Sequence, residues 1–198
     1  MLSKIKTIDK VLFAKHLSLM LSSGVSLQQS IIELQDQASP SLKKILKTLG
    51  EEIKKGSTVS KALSKYEKSF GALFINMIRI GEESGTLEES LKHLASQLEA
   101  SYELKKKVKG AKLKFLTSKN IGVLISIKPG QNQMKKALKL KQKYKNKEFY
   151  FLIADTISFT QLENFPFIDC FINTACPRIS FDDSQKIGKP IINIEDIE

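Results

Sequence analysis

The apolar positions of this chain follow two different periods. Up to about residue 110 they recur every three or four residues, the spacing of one face of an α-helix. From about residue 118 they come as short runs of β-branched and aromatic residues bounded by turn formers, the mark of buried strands. The two patterns require different layers of packing, so two unlike domains are expected. The expected fold class is α followed by α/β: a six-helix bundle over 1–110, a linker over 111–117, and a small parallel-sheet α/β domain over 118–198.

In the first pattern, Ile8, Val11, Leu12, Leu17, Leu19 and Met20 predict a helix that closes near Gly24, where a left-handed residue is favoured. Ser26 has the position of an N-cap for a second helix carrying Leu27, Ile31, Ile32 and Leu34 inward. Ser39-Pro40 opens a third through Leu42, Ile45, Leu46, Leu49 and Ile53, ended by Gly56. Ser57 or Thr58 caps a short fourth helix, and a fifth spans about Ala72 to Ile80. Gly81-Glu82-Glu83-Ser84-Gly85 then makes a turn, with Thr86 and Glu89 at capping-box spacing. In the sixth helix Leu87, Leu91, Leu94 and Leu98 form a narrow seam, suited to bundle packing or to a partner helix.

In the second pattern, strands are predicted at Ile121–Ile127, Phe149–Ala154, Phe171–Asn173 and Pro190–Asn193, with helices at Gln131–Lys145 and Ser158–Phe165 between them. This alternation predicts a parallel sheet whose ligand-facing loops lie at the carboxyl ends of its strands. Those loops carry Lys128 and Gln131, a phosphate-loop suggestion without the full glycine fingerprint, and the segment from Asn173 to Arg178. Arg178 stands two residues from Cys176 and favours its thiolate.

Charge narrows the partners. The net charge is +11, supplied almost wholly by lysine, with only Arg79 and Arg178 as arginines. A solvated lysine surface is the plain reading, and no aromatic–basic RNA-binding motif is present, so nucleic acid is not expected as a partner. The run Lys105, Lys106, Lys107 and Lys109 suits either an anionic lipid surface or a solvated helix end. Cys170 and Cys176 form neither a CxxC pair nor a disulfide framework, which fits a reducing cytoplasm. No run approaches the roughly 20 apolar residues of a membrane span, and no leader pattern opens the chain. A cytoplasmic protein is expected, with the inner membrane face as a peripheral location. Glu82, Glu83, Glu88 and Glu89 suit a divalent cation, or simply the positive end of a helix. His16 and His93 are isolated and read as bundle or surface residues.

The segments FAKHLSLMLSSGVSLQQSIIEL, KKGSTVSKAL and FINMIRIGEESGTLEESLKHLA, in that order, resemble the cytoplasmic domain of the type II secretion system F family, the inner-membrane platform proteins of type II secretion and type IV pilus machines. The resemblance implies a six-helix bundle that contacts an assembly ATPase and neighbouring platform subunits, with homodimerisation. Its interaction residues are Gly81, Glu82, Glu83 and Gly85 in the turn, and Leu87, Leu91, Leu94 and Leu98 in the seam. The family continues into a membrane helix and a second copy of the domain; here KLKFLTSK follows and no second GEESG occurs.

The segments IGVLISIKPGQ, EFYFLIADTISFTQLENFPFIDCFINTACPRISFDD and KPIIN resemble the C-terminal domain of the diphthamide synthase radical enzyme. That family transfers a 3-amino-3-carboxypropyl group from S-adenosylmethionine to a histidine of elongation factor 2. By that resemblance Cys176 is one of three thiolates holding a [4Fe–4S] cluster, each from a different domain. The two preceding domains are not in this sequence, so cluster and S-adenosylmethionine are expected only if those domains are supplied. The reading is a chimera: a platform assembly module carrying an incomplete synthase domain, without enzymatic activity of its own. The alternative is a fragment of the transferase.

Overall fold

The computed structural model describes residues 5–128, 133–156, 158–175 and 188–197. The chain divides into two compact units, Met1–Glu103 and Leu104–Glu198.

The first unit is helical. Its elements are α1 (Thr7–Ser22), α2 (Leu27–Gln37), α3 (Pro40–Lys54), α4 (Val59–Ser64), α5 (Glu67–Phe70), α6 (Ala72–Ser84) and the first part of α7 (Leu87–Thr117). The punctuation follows local chemistry. Ser26 Oγ accepts from Gln29 N–H at 3.3 Å, Ser39 Oγ from Leu42 N–H at 3.4 Å with Pro40 in the first turn, and Thr58 Oγ1 from Lys61 N–H at 3.3 Å. Gly24 and Gly56 take the left-handed conformation, at φ 79° and 86°. One core unites Phe13, Leu17, Ile31, Leu46, Leu63, Ile78 and Leu91 with an aromatic knot in which the Phe70 and Phe74 rings are 4.9 Å apart.

Two expectations are corrected. Among the described residues the bundle holds seven helical segments rather than six, because the four-residue α5 adds a turn between the expected fourth and fifth helices. And 111–117 is no linker: α7 runs unbroken to Thr117, since KKKVKGAKLKFLT lacks proline and Ala111 and Phe115 are buried four residues apart on one helix face. Phe13 and Ala14 also take core places in α1, while Leu12 and Leu19 turn outward.

The second unit is a four-stranded parallel sheet in the order β2-β1-β3-β4, formed by β1 (Asn120–Ser126), β2 (Glu148–Ala154), β3 (Cys170–Asn173) and β4 (Ile191–Asn193). The crossovers carry α8 (Met134–Lys143) and α9 (Phe159–Leu162), and a 3-10 turn (Ile194–Asp196) follows β4. Alternation along the strands divides the sheet cleanly. Ile121, Val123, Ile125, Cys170 and Ile172 pack on one face against Ala111 and Phe115 of α7 and Ala137 and Leu140 of α8. Leu124 and Phe171 pack on the other, against Leu162 and Ile168. All four predicted strands are present, each within one residue of its expected start.

Candidate functional site

The turn between α6 and α7 is built by close approach. Gly85 closes α6 at φ 73°, and Thr86 N–H donates to Gly81 O at 2.8 Å. Gly81 is buried, and a Cβ there would stand 2.6 Å from Ser90 Oγ and 3.0 Å from Leu87 Cα, so no side chain fits between the two helices. The Glu82 carboxylate reaches across to α4: Oε1 accepts from Val59 N–H, and Oε2 from Ser60 N–H at 3.0 Å. It satisfies two amides that a helix start leaves open, and its charge opposes the positive end of the helix. Two of the turn residues are therefore structural, while Glu83 and Gly85 face solvent. Beside them Arg79, Glu83, Lys61 and Ser64 line a polar cleft. Among the described residues no group of three His, Cys, Asp or Glu side chains comes together to hold a metal.

The leucine seam turns inward. Leu91 is 0% and Leu94 3% exposed, both within the bundle core, with Leu87 and Leu98 packed partly against it. The seam was expected to serve either packing or a partner helix; these two side chains are committed to packing, because α7 closes the bundle along that face. Apolar surface is left open on α6, where Leu73 is 71% and Ile80 62% exposed and Met77 is half-buried between them, as it is on α1 at Leu12 and Leu19. Leu73 and Ile80 are seven residues apart, two helical turns on one face, opposite the buried Phe74, Ile75 and Ile78. That i, i+7 pair is readable in the sequence, but in the run LFINMIRI, where only Asn76 and Arg79 are polar, nothing marks which apolar residues are surplus to the core.

In the second unit, the chain leaves β1 for β2 on one side and returns to β3 on the other, so the carboxyl ends of β1 and β3 adjoin at a switch in strand order. Polar side chains knit these ends together. Asn173 Nδ2 donates to Asn193 Oδ1 at 2.8 Å, Asn173 Oδ1 accepts from Ala175 N–H at 3.0 Å, and Thr174 Oγ1 donates to Leu124 O at 2.8 Å. The asparagines share one rung of the ladder, a pairing that only the register reveals. Lys128 is exposed at this end, its N–H donating to Ser126 Oγ at 3.2 Å. Gln131, Cys176 and Arg178 lie outside the described residues.

Two unusual groups lie at the opposite, amino ends of the strands. Lys147 is buried; its Nζ donates to Leu116 O at 2.9 Å and Ser118 O at 2.6 Å, and stands 5.1 Å from the centre of the Phe115 ring. It thus ties off the last carbonyls of α7. Burial lowers its pKa below the ordinary lysine value, against the pull of Cys170 and Asp169. Cys170, fully buried, has its thiol pushed up to about 12, chiefly by desolvation. Cys170 is packed with Ile121, Val123 and Ile172 in the sheet core, and among the described residues no second cysteine stands beside it to share a cluster.

A helical bundle with exposed apolar residues on α6, followed by a small four-stranded parallel sheet, defines an α then α/β class of protein. Comparison with known proteins names the class. Residues 13–127 match the family described as Type II secretion system (T2SS), protein F, and the chain belongs to that family. It is 38% identical over 104 residues to the type IV pilus assembly protein PilC of Thermus thermophilus, covering 52% of this chain and 25% of that protein. It is 32% identical over 110 residues to TapC of Aeromonas hydrophila, a type IV pilus assembly protein, covering 55% and 27%. The remainder has different kin: 32% identity over 88 residues to the 2-(3-amino-3-carboxypropyl)histidine synthase of Pyrococcus horikoshii, covering 43% of this chain and 25% of that enzyme. The crystal structure of Dph2 from P. horikoshii with its 4Fe-4S cluster matches with a TM-score of 0.42 and 26% identity, over 48% of this chain and 27% of that one. The chain spans about a quarter of the length of these curated relatives. It joins a platform-family region to a region similar to a diphthamide synthase. Among the described residues no helix is long and apolar enough to cross a membrane.

Proposed function

We propose that this chain is an assembly module of a type II secretion or type IV pilus platform, and that its first unit docks on a neighbouring platform subunit through the outer face of α6. The observation that carries the reading is the exposed pair Leu73 and Ile80, two helical turns apart on one face of α6. A two-turn apolar stripe on a helix that also exposes Arg79 and Glu83 has the composition of a helix-docking surface. The assembly ATPase of the same machine is a second partner consistent with the family. The transferase reading rests on the likeness to the synthase.

The test is association measured by sedimentation velocity, for the chain alone and mixed with the platform protein and ATPase encoded in the same genome. Leu73→Glu with Ile80→Glu should abolish complex formation while leaving the melting temperature unchanged, because both side chains already face water. Wild-type chain that remains monomeric at high concentration and ignores both partners refutes the proposal.

A further inference from the structure

Between Glu103 and Glu148 the chain has fifteen lysines and not one aspartate or glutamate. The fold does not scatter this charge. The end of α7 and the whole of α8 pack side by side on the same face of the sheet, through Ala111 and Phe115 on one helix and Ala137 and Leu140 on the other, with the Phe115 and Tyr144 rings 5.1 Å apart. Their outer surfaces carry Lys106 and Lys109 on α7 and Lys135 and Lys139 on α8, all exposed. The ion pairs among the described residues all lie in the first unit, so these ammonium groups have no carboxylate partner there. At one edge Lys112 Nζ donates to the backbone carbonyl of Asp196 at 2.8 Å. Among the lysines stand leucines that the core does not use: Leu113 is 56% and Leu138 47% exposed, and Leu116 is exposed as well.

We propose that this two-helix face is a docking surface for an anionic lipid bilayer. Lysine clusters on a helix face are drawn to acidic headgroups, each ammonium near the surface strengthening binding about fivefold, and their stems lie along the apolar boundary. Leu113, Leu116 and Leu138 suit the headgroup–acyl boundary, where an interfacial helix buries its apolar residues. Nucleic acid fits less well. The face has no arginine fork and no exposed aromatic platform, since Phe115 is buried and Tyr144 is half-buried in its ring contact. The surface lies wholly in the second unit, and the proposal does not rest on the platform reading.

Co-sedimentation of the full chain with vesicles tests it. Vesicles rich in phosphatidylglycerol should bind the protein at low salt, and phosphatidylcholine vesicles should not. Replacing Lys106, Lys109, Lys135 and Lys139 together by glutamine should weaken binding at least about tenfold without changing the melting temperature. The same number of charges removed from the first unit, Lys44, Lys47, Lys54 and Lys55 to glutamine, should cost much less. Leu113→Ser with Leu138→Ser should lower the binding that survives at high salt, where charge attraction is screened. The proposal is overturned by equal losses in the two lysine variants, by equal binding to both vesicle types, or by a short nucleic-acid duplex that displaces the protein from the vesicles.

Discussion

The two units solve the same problem with opposite charges. In the first, the Glu82 carboxylate leaves α6 to cap the amino end of α4. In the second, the Lys147 ammonium caps the carboxyl end of α7 through the Leu116 and Ser118 carbonyls. Each charge meets the end of the helix dipole that suits it. The settings differ. Glu82 is half-exposed, whereas Lys147 is buried against an aromatic ring. The units also differ in balance: the first carries fourteen basic and twelve acidic side chains, the second eighteen and nine. The comparison teaches that a buried ionic cap is a larger commitment than a surface one, because its loss leaves desolvated carbonyls that water cannot reach.

The comparison treats each unit as held by its own core, and the largest expected effect tests that premise. Leu94→Asp places a carboxylate among Phe, Leu and Ile side chains in the first unit and should cost about 4 kcal/mol, from lost packing and an unpaired buried charge. Hydrogen exchange on the full chain should then show lost protection in α1 to α6 and retained protection in β1 and β3. Equal loss in both units would break the comparison.

A smaller effect sharpens it. Lys147→Met keeps the stem but strips the ammonium from two carbonyls, and should destabilise the second unit by about 2 kcal/mol. Glu82→Ala should cost about 1 kcal/mol, since water replaces the carboxylate at a half-exposed helix start. Denaturant midpoints of the two variants decide the order. A Glu82 variant hit harder than the Lys147 variant would reverse the lesson.

How far the sequence foretold this depends on the range of the interaction. Ser26, Ser39, Gly24 and Gly85 act within one turn of themselves, and each helix stop or start they predict is present. The four strands were legible because a buried parallel strand is apolar on both faces, which shows as an unbroken run. What stayed hidden acts at a distance. Glu82 and Val59 are 23 residues apart, and Lys147 and Leu116 are 31 apart, so neither cap has a local signature. The seam stays open in the sequence for the same reason: periodicity shows that Leu91 and Leu94 share a face of α7, but not whether the bundle or a partner covers it. The end of α7 is hard to read because the helical period gives way to the strand pattern there, and only Ala111 and Phe115, four residues apart, carry it on. At the candidate site, the GEESG run draws the eye to Glu82, but its reach to the Val59 and Ser60 amides is invisible in the sequence.

The smallest effect concerns pH and the thiol beside the buried cap. Cys170 has an ordinary value of 9.0 and is held at about 12 in the fold, chiefly by desolvation. Below pH 9 the thiol is protonated in both folded and unfolded chains, so its contribution is constant. From pH 9 towards 12 the unfolded chain gives up the proton and the folded chain keeps it, so stability falls as pH rises. The loss should reach about 1 kcal/mol by one pH unit above 9. Lys147 works in the other direction: its lowered pKa leaves the unfolded chain binding more protons just below 10.5, which raises stability with pH in that window. Comparing the wild type with Cys170→Ala largely cancels the lysine, which is present in both. The variant should be less stable near neutral pH because of the small cavity, and the gap should narrow as pH rises above 9. Denaturant unfolding followed by circular dichroism at several alkaline pH values reads the gap directly. A gap that stays constant through that range would mean that Cys170 titrates in the fold as it does in water, and that the sheet face shared with Lys147 is wetter than its packing shows.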